Sequence, residues 1–526
     1  MPPLTIPGVR GHRFGALRRE GEKMQIHGRR SRPAFVAAAL IGVLMLVTQM
    51  EAYAAGGGGG GGHKPPTGLT FGTPVRLPTF QSCGGYEPGI AVDHFGNIFV
   101  TAHKQNHCDA VAADPSAPAG VRAESWLWTS TDGVNFVDLP GLANLPADPS
   151  SLDVGDEGDI GLDDANHLYF VDTKIVDDHF ARWSITGLGH MTQDIARPVV
   201  PSLEPVDDRE WVVAHGASTV LYAGNQGDKD TYNVGSTAAG CTGIGILPPQ
   251  PGQPQQPPGG RYTVFMSYDG GATFDPAGCT LPDSGWCRPA ADHTPGSLYL
   301  YMVCTNDGGA DDEVNTSGDP GFTAGTLYSY VSADNGATWK RYRIDGYNSD
   351  LPGGGETNDI NWPQVVVAKD GSLYALFNNP VTGTDATGAK IKVDSRLLLY
   401  HSTNHGKTWA KQDVTPANEG LIRYSWVDVA PDGHTIGVGY ETHATLDGNW
   451  HVYGGTSPKF GSAVTYALAD PVETAPAGDF NFGDFFEVAF DNLGRLDIVY
   501  TRCVDLVPGD DTTDCLNSDV YFVRSR

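Results

Sequence analysis

One eight-residue phrase is written three times along this chain: "SYDGGATF" at 267–274, "SADNGATW" at 332–339 and "STNHGKTW" at 402–409. A shortened copy, "STDGVNF", starts at Ser130. The full copies are 65 and 70 residues apart, and the 137 residues from Ser130 to Ser267 are close to two such periods. A unit with a silent copy therefore lies between them, near "ARWSITGLGHMT" at 181–192. Self-similarity at this period limits the chain to an array of like supersecondary units, each too thin to bury its own faces.

A second phrase sets the number of units. An apolar run, a turn with Gly or Asn and another apolar run read as a β-hairpin. This pattern occurs at 89–103, 159–173, 211–225, 289–303, 364–378, 426–440 and 486–500. In the clearest units the Ser-x-Asp phrase follows within a second hairpin, so each unit holds four strands. Runs of helical periodicity are absent, and Gly 68 and Pro 37 suit many turns. The expected fold is all-β, a seven-bladed β-propeller, with six blades as the fallback because units two and six are weak in their second hairpin. "TPVRLPTF" at 73–80 is a lone strand, and the last unit, ending "DVYFVRSR", is one strand short. The lone strand is expected to complete the last blade, which closes the ring and removes its free edges.

The repeated phrase reads as a turn. Asp or Asn at its third position accepts from backbone N–H groups further on, and Gly at the fifth takes positive φ without steric cost. One carboxylate with a Ser and a Thr offers too few oxygens for calcium.

This phrase is the Asp-box, and with it the chain resembles the sialidase (neuraminidase)-like β-propellers. The three full boxes and the degenerate one at Ser130 carry the resemblance, and the repeat pattern covers roughly residues 73–526. Asp-boxes speak for the fold more than for an activity.

The segment 1–54 reads as a secretory signal: basic "HGRRSRPA", an apolar run from Ala34 to Val47, then "AYA" at Ala52–Ala54. The run is short for a membrane span, which needs roughly 20 residues; an uncleaved N-terminal anchor is the alternative. A Gly-rich linker occupies 55–70, the propeller 71–526, and a Pro-rich insertion 240–260. Loss of 1–54 removes 8 Lys/Arg and 3 Asp/Glu and leaves 26 basic against 59 acidic residues, a net charge near −33. That charge repels nucleic acid and anionic membranes and suits a soluble secreted, periplasmic or cell-surface protein, expected to be a monomer without membrane insertion after cleavage. All eight Cys follow the signal. An even number in an exported chain favours disulfides; Cys83–Cys108 and Cys287–Cys304 flank their hairpins alike, Cys503–Cys515 would close a short loop, and Cys241–Cys279 would then staple the Pro-rich insertion.

Residues just before each innermost strand line one mouth of a propeller's axis. They include Glu87, Glu157, Asp208, Arg209, Arg288, Trp362, Arg423 and Tyr424. Arg209, Arg288 and Arg423 fall at equivalent places on three units, where convergent guanidiniums would clamp a carboxylate. The resemblance implies that use: sialidases hold the sugar carboxylate with three Arg and work with a Tyr nucleophile, an assisting Glu and an Asp acid/base. "RYSWVDVAPDGHTIGVGYE" at 423–441 has the outline of the sialidase Tyr-Ser and Tyr-Glu phrases and makes Tyr424 the nucleophile. Glu157 is its candidate base, with Glu87 and Glu487 as alternatives, and Asp109 the candidate acid/base. Arg209, Arg288, Arg423, Glu87, Asp208 and Trp362 are the substrate-binding candidates. The Arg-Ile-Pro phrase of sialidases is missing here. The expected function is an exported exo-glycosidase acting on an acidic glycan or glycoprotein; the alternative is a non-catalytic glycan- or protein-binding propeller using Trp286, Trp362 and Trp426. No metal ligand set or cofactor is expected. "DVGDEGD" at 153–159 and "NDGGADDE" at 306–313 lack the spacing of a calcium loop, which leaves only a structural calcium open.

Overall fold

The computed structural model describes residues 68–79, 84–104, 125–139, 157–174, 177–198, 207–226, 241, 262–275, 278–282, 284–305, 326–347, 363–384, 388, 390–417, 421–443, 449–475, 486–506 and 515–526. These form a seven-bladed propeller of seven four-stranded antiparallel sheets. Blades one to six span 86–138, 157–198, 207–280, 287–346, 364–413 and 422–468 in chain order. Blade seven takes three strands from 487–524 and its fourth from Val75–Arg76. The innermost strands are Tyr86–Val92, Glu157–Leu162, Asp207–His215, Cys287–Ala291, Gln364–Val367, Ile422–Val429 and Glu487–Phe490. Each packs beside the innermost strand of the next blade, and the last beside the first.

Ring closure follows the expectation. Val75 pairs with Phe522 and Arg76 with Tyr521, while Phe71 bridges Ser525 outside the named strands. The Arg76 guanidinium adds a 2.7 Å bond to buried Asp519. Units two and six are complete blades, so the six-blade count falls away. The third-to-fourth-strand turn of blade two is the short reversal at Gly187–His190, and that of blade six is a turn at "SPKFGS" that the sequence pattern passes over. There Ser457 donates to the carbonyls of Lys459 and Ser462.

The repeated phrase joins the third and fourth strands. In its copy at 332–339, the Ser332 hydroxyl donates to Asp334 at 2.8 Å and accepts from Gly336 N at 2.8 Å. Asp334 accepts from Thr338 N at 2.9 Å and from the Thr338 hydroxyl at 2.5 Å. The copy at 267 repeats this wiring, and the copy at 402 does so with Asn404 in place of the Asp, except that there the Asn404 amide donates to the Thr408 hydroxyl. The carboxylate's acceptors are thus filled by its own turn. The aromatic after each turn goes down between blades: Phe274 meets the ring of Phe180 from blade two at 5.3 Å, and Trp339 is buried.

Four-stranded sheets packed face to face make the core lie between blades rather than inside them. Trp126 and Trp128 of blade one sit against Val520 and Phe522 of blade seven; Tyr169 and Phe180 of blade two meet Tyr222 and Phe265 of blade three. Cys287–Cys304 ties the first two strands of blade four, and Cys241–Cys279 ties a residue of the insertion to blade three. Cys503 is also disulfide-bonded. Cys83 and Cys108 lie outside the described residues, as do the leader and tether up to Thr67.

Candidate functional site

Two ends of the ring differ. At one, the hairpin turns and the repeated phrase are short and self-bonded. At the other, the innermost strands begin, and there the ladders are irregular. Register shifts fall between Tyr86 and Gly89 in blade one, Asp208 and Trp211 in blade three, and Arg423 and Ser425 in blade six. Two bulge residues that are not glycine hold positive φ: Glu87 at 50° and Tyr424 at 45°. The other three such residues, Asn166, Asn335 and His405, sit in turns at the opposite end. Bulges re-aim side chains beside sites, and strained backbone gathers there.

Below the bulges, one layer of side chains meets on the axis. The fourth residue from the turn end of the ladder is Gly89, Asp159, Arg288, Gln364, Trp426 and Glu487 in blades one, two, four, five, six and seven. Blade three has one more pair before its turn and contributes Trp211. Arg288 crosses this layer. Its Nη2 donates to Glu487 at 2.9 Å and its Nη1 lies 3.6 Å from Asp159. The ring of Trp211 lies 4.0 Å from the guanidinium carbon and that of Trp426 4.7 Å. Residues from blades two, three, six and seven can surround one side chain of blade four only on the axis. Gly89 leaves space for the Glu487 carboxylate: a Cβ there would come 3.4 Å from Glu487 Oε2.

The acids of this layer also stitch blades together. Asp159 accepts from Val212 N at 2.7 Å, and Glu487 accepts from Ile90 N at 2.9 Å. Two residues closer to the turns, Asp428 accepts from Phe490 N at 2.6 Å. Each time a carboxylate on one inner strand bonds the next inner strand. Burial disfavours their charged forms. It raises Asp159 against the pull of Arg288. Glu487 is pushed up to about 7 by burial, with Arg288 opposing and Asp159 adding repulsion. Asp428 is pushed up to about 6, again by burial. Two carboxyls that share one guanidinium titrate as a pair.

The remaining sequence candidates divide. Arg423 does not join Arg288. It is buried in blade six, where its Nε donates to Glu441 at 2.7 Å and its guanidinium lies 3.9 Å from the Trp450 ring. It also lies 5.1 Å from the ring of Tyr424, which is buried in the bulge. Glu87 is buried with its Oε2 3.3 Å from His103 Nε2. Glu157, Asp208 and Arg209 occupy strand positions at the same end of the inner strands, where backbone alone is described. Asp109 and Trp362 lie outside the described residues. Sequence reasoning had Glu487 only as an alternative base and did not select Asp159, Trp211 or Gln364 as binders. Their common ladder position was the available signal, once the seven hairpins are counted from their turns rather than from their starts. Among the described residues no group of three or more His, Cys, Asp or Glu could hold a metal ion.

No family model and no curated protein matches the chain. Solved structures do resemble it. A Dyadobacter fermentans protein of unknown function is 11% identical over 88% of this chain and 99% of its own, with a TM-score of 0.43. The α-L-arabinofuranosidase Arb93A from Fusarium graminearum is 9% identical over 87% and 98%, at 0.39. A Niastella koreensis GH74 enzyme is 14% identical over 84% of this chain and 55% of its own, at 0.41.

Proposed function

We propose that this chain is an exported, glycan-acting propeller that works at the bulged end of its axis, with glycoside hydrolysis as its chemistry. The observation that carries this reading is the carboxyl pair Asp159 and Glu487, placed on either side of one guanidinium with Glu487 pushed up to about 7. Hydrolysis by two carboxyls needs one that keeps its proton near neutral pH and one that stays ionised. A coupled buried pair gives that asymmetry, because ionising one member opposes ionising the other. Burial of such groups at the centre of a fold marks a site candidate. Disulfides Cys241–Cys279 and Cys287–Cys304 fit an extracellular setting.

The sialidase-type version, with Tyr424 as nucleophile, draws support from the strained backbone at Tyr424 and the guanidinium of Arg423 beside it. Its carboxylate clamp has less support. Arg288 and Arg423 each hold an internal acid already.

A panel of fluorogenic α-sialosides and neutral α- and β-glycosides separates these readings. Turnover of a neutral glycoside that falls by about two orders of magnitude or more in Glu487→Gln supports the carboxyl-pair chemistry. Sialoside turnover abolished by Tyr424→Phe selects the sialidase type. No turnover, with retained capture on a glycan array, leaves the binding module.

A further inference from the structure

Gln364 is buried at 1% exposure in the axial layer, and among the described residues neither its amide nitrogen nor its amide oxygen has a hydrogen-bond partner. Its ladder with the next strand is regular, from Gln364↔Leu376 to Val367↔Leu373. Gln364 therefore presents its side chain with the same phase as Arg288, Trp426 and Glu487, which meet on the axis. A buried carboxamide left unpaired is destabilising, and apolar residues are the ordinary occupants of such places. Arg288 points the same way: its Nη1 is buried, lies 3.6 Å from Asp159 and makes no hydrogen bond among the described residues. Arg288 has the greatest side-chain access to solvent among the ion pairs of the layer, at 12% against 2% for Asp159 and 4% for Glu487.

The charge around these groups selects the ligand. The layer holds two carboxyls and one guanidinium, and Asp428 stands one step below. An arriving carboxylate would meet the acids with the cation already engaged. A hydroxyl both donates and accepts, which matches the free oxygen and the free N–H of one carboxamide.

We infer that the axial floor reads a neutral, hydroxyl-bearing sugar, with Gln364 as the residue that pairs with one of its hydroxyls. The inference rests on the glycan-acting reading and narrows it to neutral sugars. Gln364 acts by specificity: a site built to bond a hydroxyl discriminates strongly against the analogue that lacks it.

The test uses the full mature chain and its Gln364→Met variant. The neutral glycoside that the wild type prefers is compared with its singly deoxygenated analogues, and thermal unfolding of both proteins is recorded alongside. The expected result is a loss of roughly ten- to a hundred-fold in kcat/KM for Gln364→Met on the parent sugar. One deoxy analogue should be handled equally by wild type and variant, and the variant should be at least as stable as the wild type. Preference of the wild type for a sialoside or uronide would overturn the inference while leaving the glycan-acting reading in place. Equal discrimination by both proteins would overturn it too and reduce Gln364 to a hydrated core residue. If the wild type neither binds nor cleaves any glycan, the underlying reading falls and takes the inference with it.

Discussion

At the residue scale the axis turns on Arg288. Its guanidinium is packed between Trp211 and Trp426, and it holds Glu487 while facing Asp159. Removing one partner from a buried charge cluster strands the others. Arg288→Met keeps the bulk and deletes the charge, so unfolding in urea at pH 8 should show a loss of about 3–5 kcal/mol. The added change Glu487→Gln should return part of that loss, because it removes one of the two stranded carboxyls. An unchanged midpoint in Arg288→Met would mean that the cluster is not coupled as the geometry shows. The three-arginine expectation illustrates what sequence spacing can miss at this scale. The sequence pattern gives Arg288 and Arg423 like places, but they stand fourth and seventh from the turn ends of their inner strands, and one projects to the axis while the other meets Glu441 within its own blade. The bulge at Arg423/Ser425 shifts the phase of everything before it by one residue, and nothing in residue type announces a bulge.

At the element scale the four-strand unit and its turn were plainly legible, because alternation and Gly-containing turns are local properties. The turn of blade six was not, since "SPKFGS" keeps the Ser and Gly but replaces the carboxylate with Lys459. Its geometry also separates two roles of glycine. Gly271 has φ +79° and a Cβ there would fall 2.1 Å from Phe180 Cζ of the neighbouring blade; Gly461 has φ +85° with nothing within 4 Å. Gly461→Ala carries only the left-handed backbone cost, roughly 1–2 kcal/mol. Gly271→Ala adds a clash with a buried ring across a blade interface, so its loss should exceed that of Gly461→Ala by several-fold, as overpacking at a rigid contact does. Chemical denaturation of the two variants compares them directly; equal losses would show that the turn of blade three is not pressed against blade two. Asp334→Ala is expected to cost about 1–2 kcal/mol through the lost bonds to Thr338, without change in any glycan activity.

For the whole molecule, closure and charge decide stability. The closing segment is fastened to blade seven by two strand pairs, the Arg76–Asp519 bond, the bridge at Phe71 and backbone bonds from Gly72 N to Arg524 O and from Leu77 N to Val520 O. Deleting 68–79 should open a sheet edge along Cys515–Arg524, lower the melting temperature and produce concentration-dependent association on size-exclusion chromatography; a monomer melting as before would show that the ring does not need its strand.

The axial carboxyls add a pH dependence opposite to that of the surface acids Asp334, Asp345 and Asp432. Glu487, pushed up to about 7, and Asp428, pushed up to about 6, bind protons more tightly in the folded chain than in the unfolded one. Their contribution is complete below the ordinary carboxylate range and is lost as pH rises through 6 and 7. Asp334, Asp345 and Asp432 are held below the usual carboxylate range by hydrogen bonds that outweigh burial, Asp345 through Lys411 as well. Their contribution is present above that range and is lost as pH falls through it. The formal net charge of −28 at pH 7 adds self-repulsion as more acids ionise. Thermal unfolding should therefore be most resistant at about pH 4–5.5 and decline toward pH 8. In Glu487→Gln the decline between pH 5 and pH 8 should become shallower, because one of the groups that release a proton in that interval is gone while Asp428 remains. A melting temperature that rises from pH 5 to pH 8 would place the dominant titration on the surface acids and remove the axial pair from control of stability.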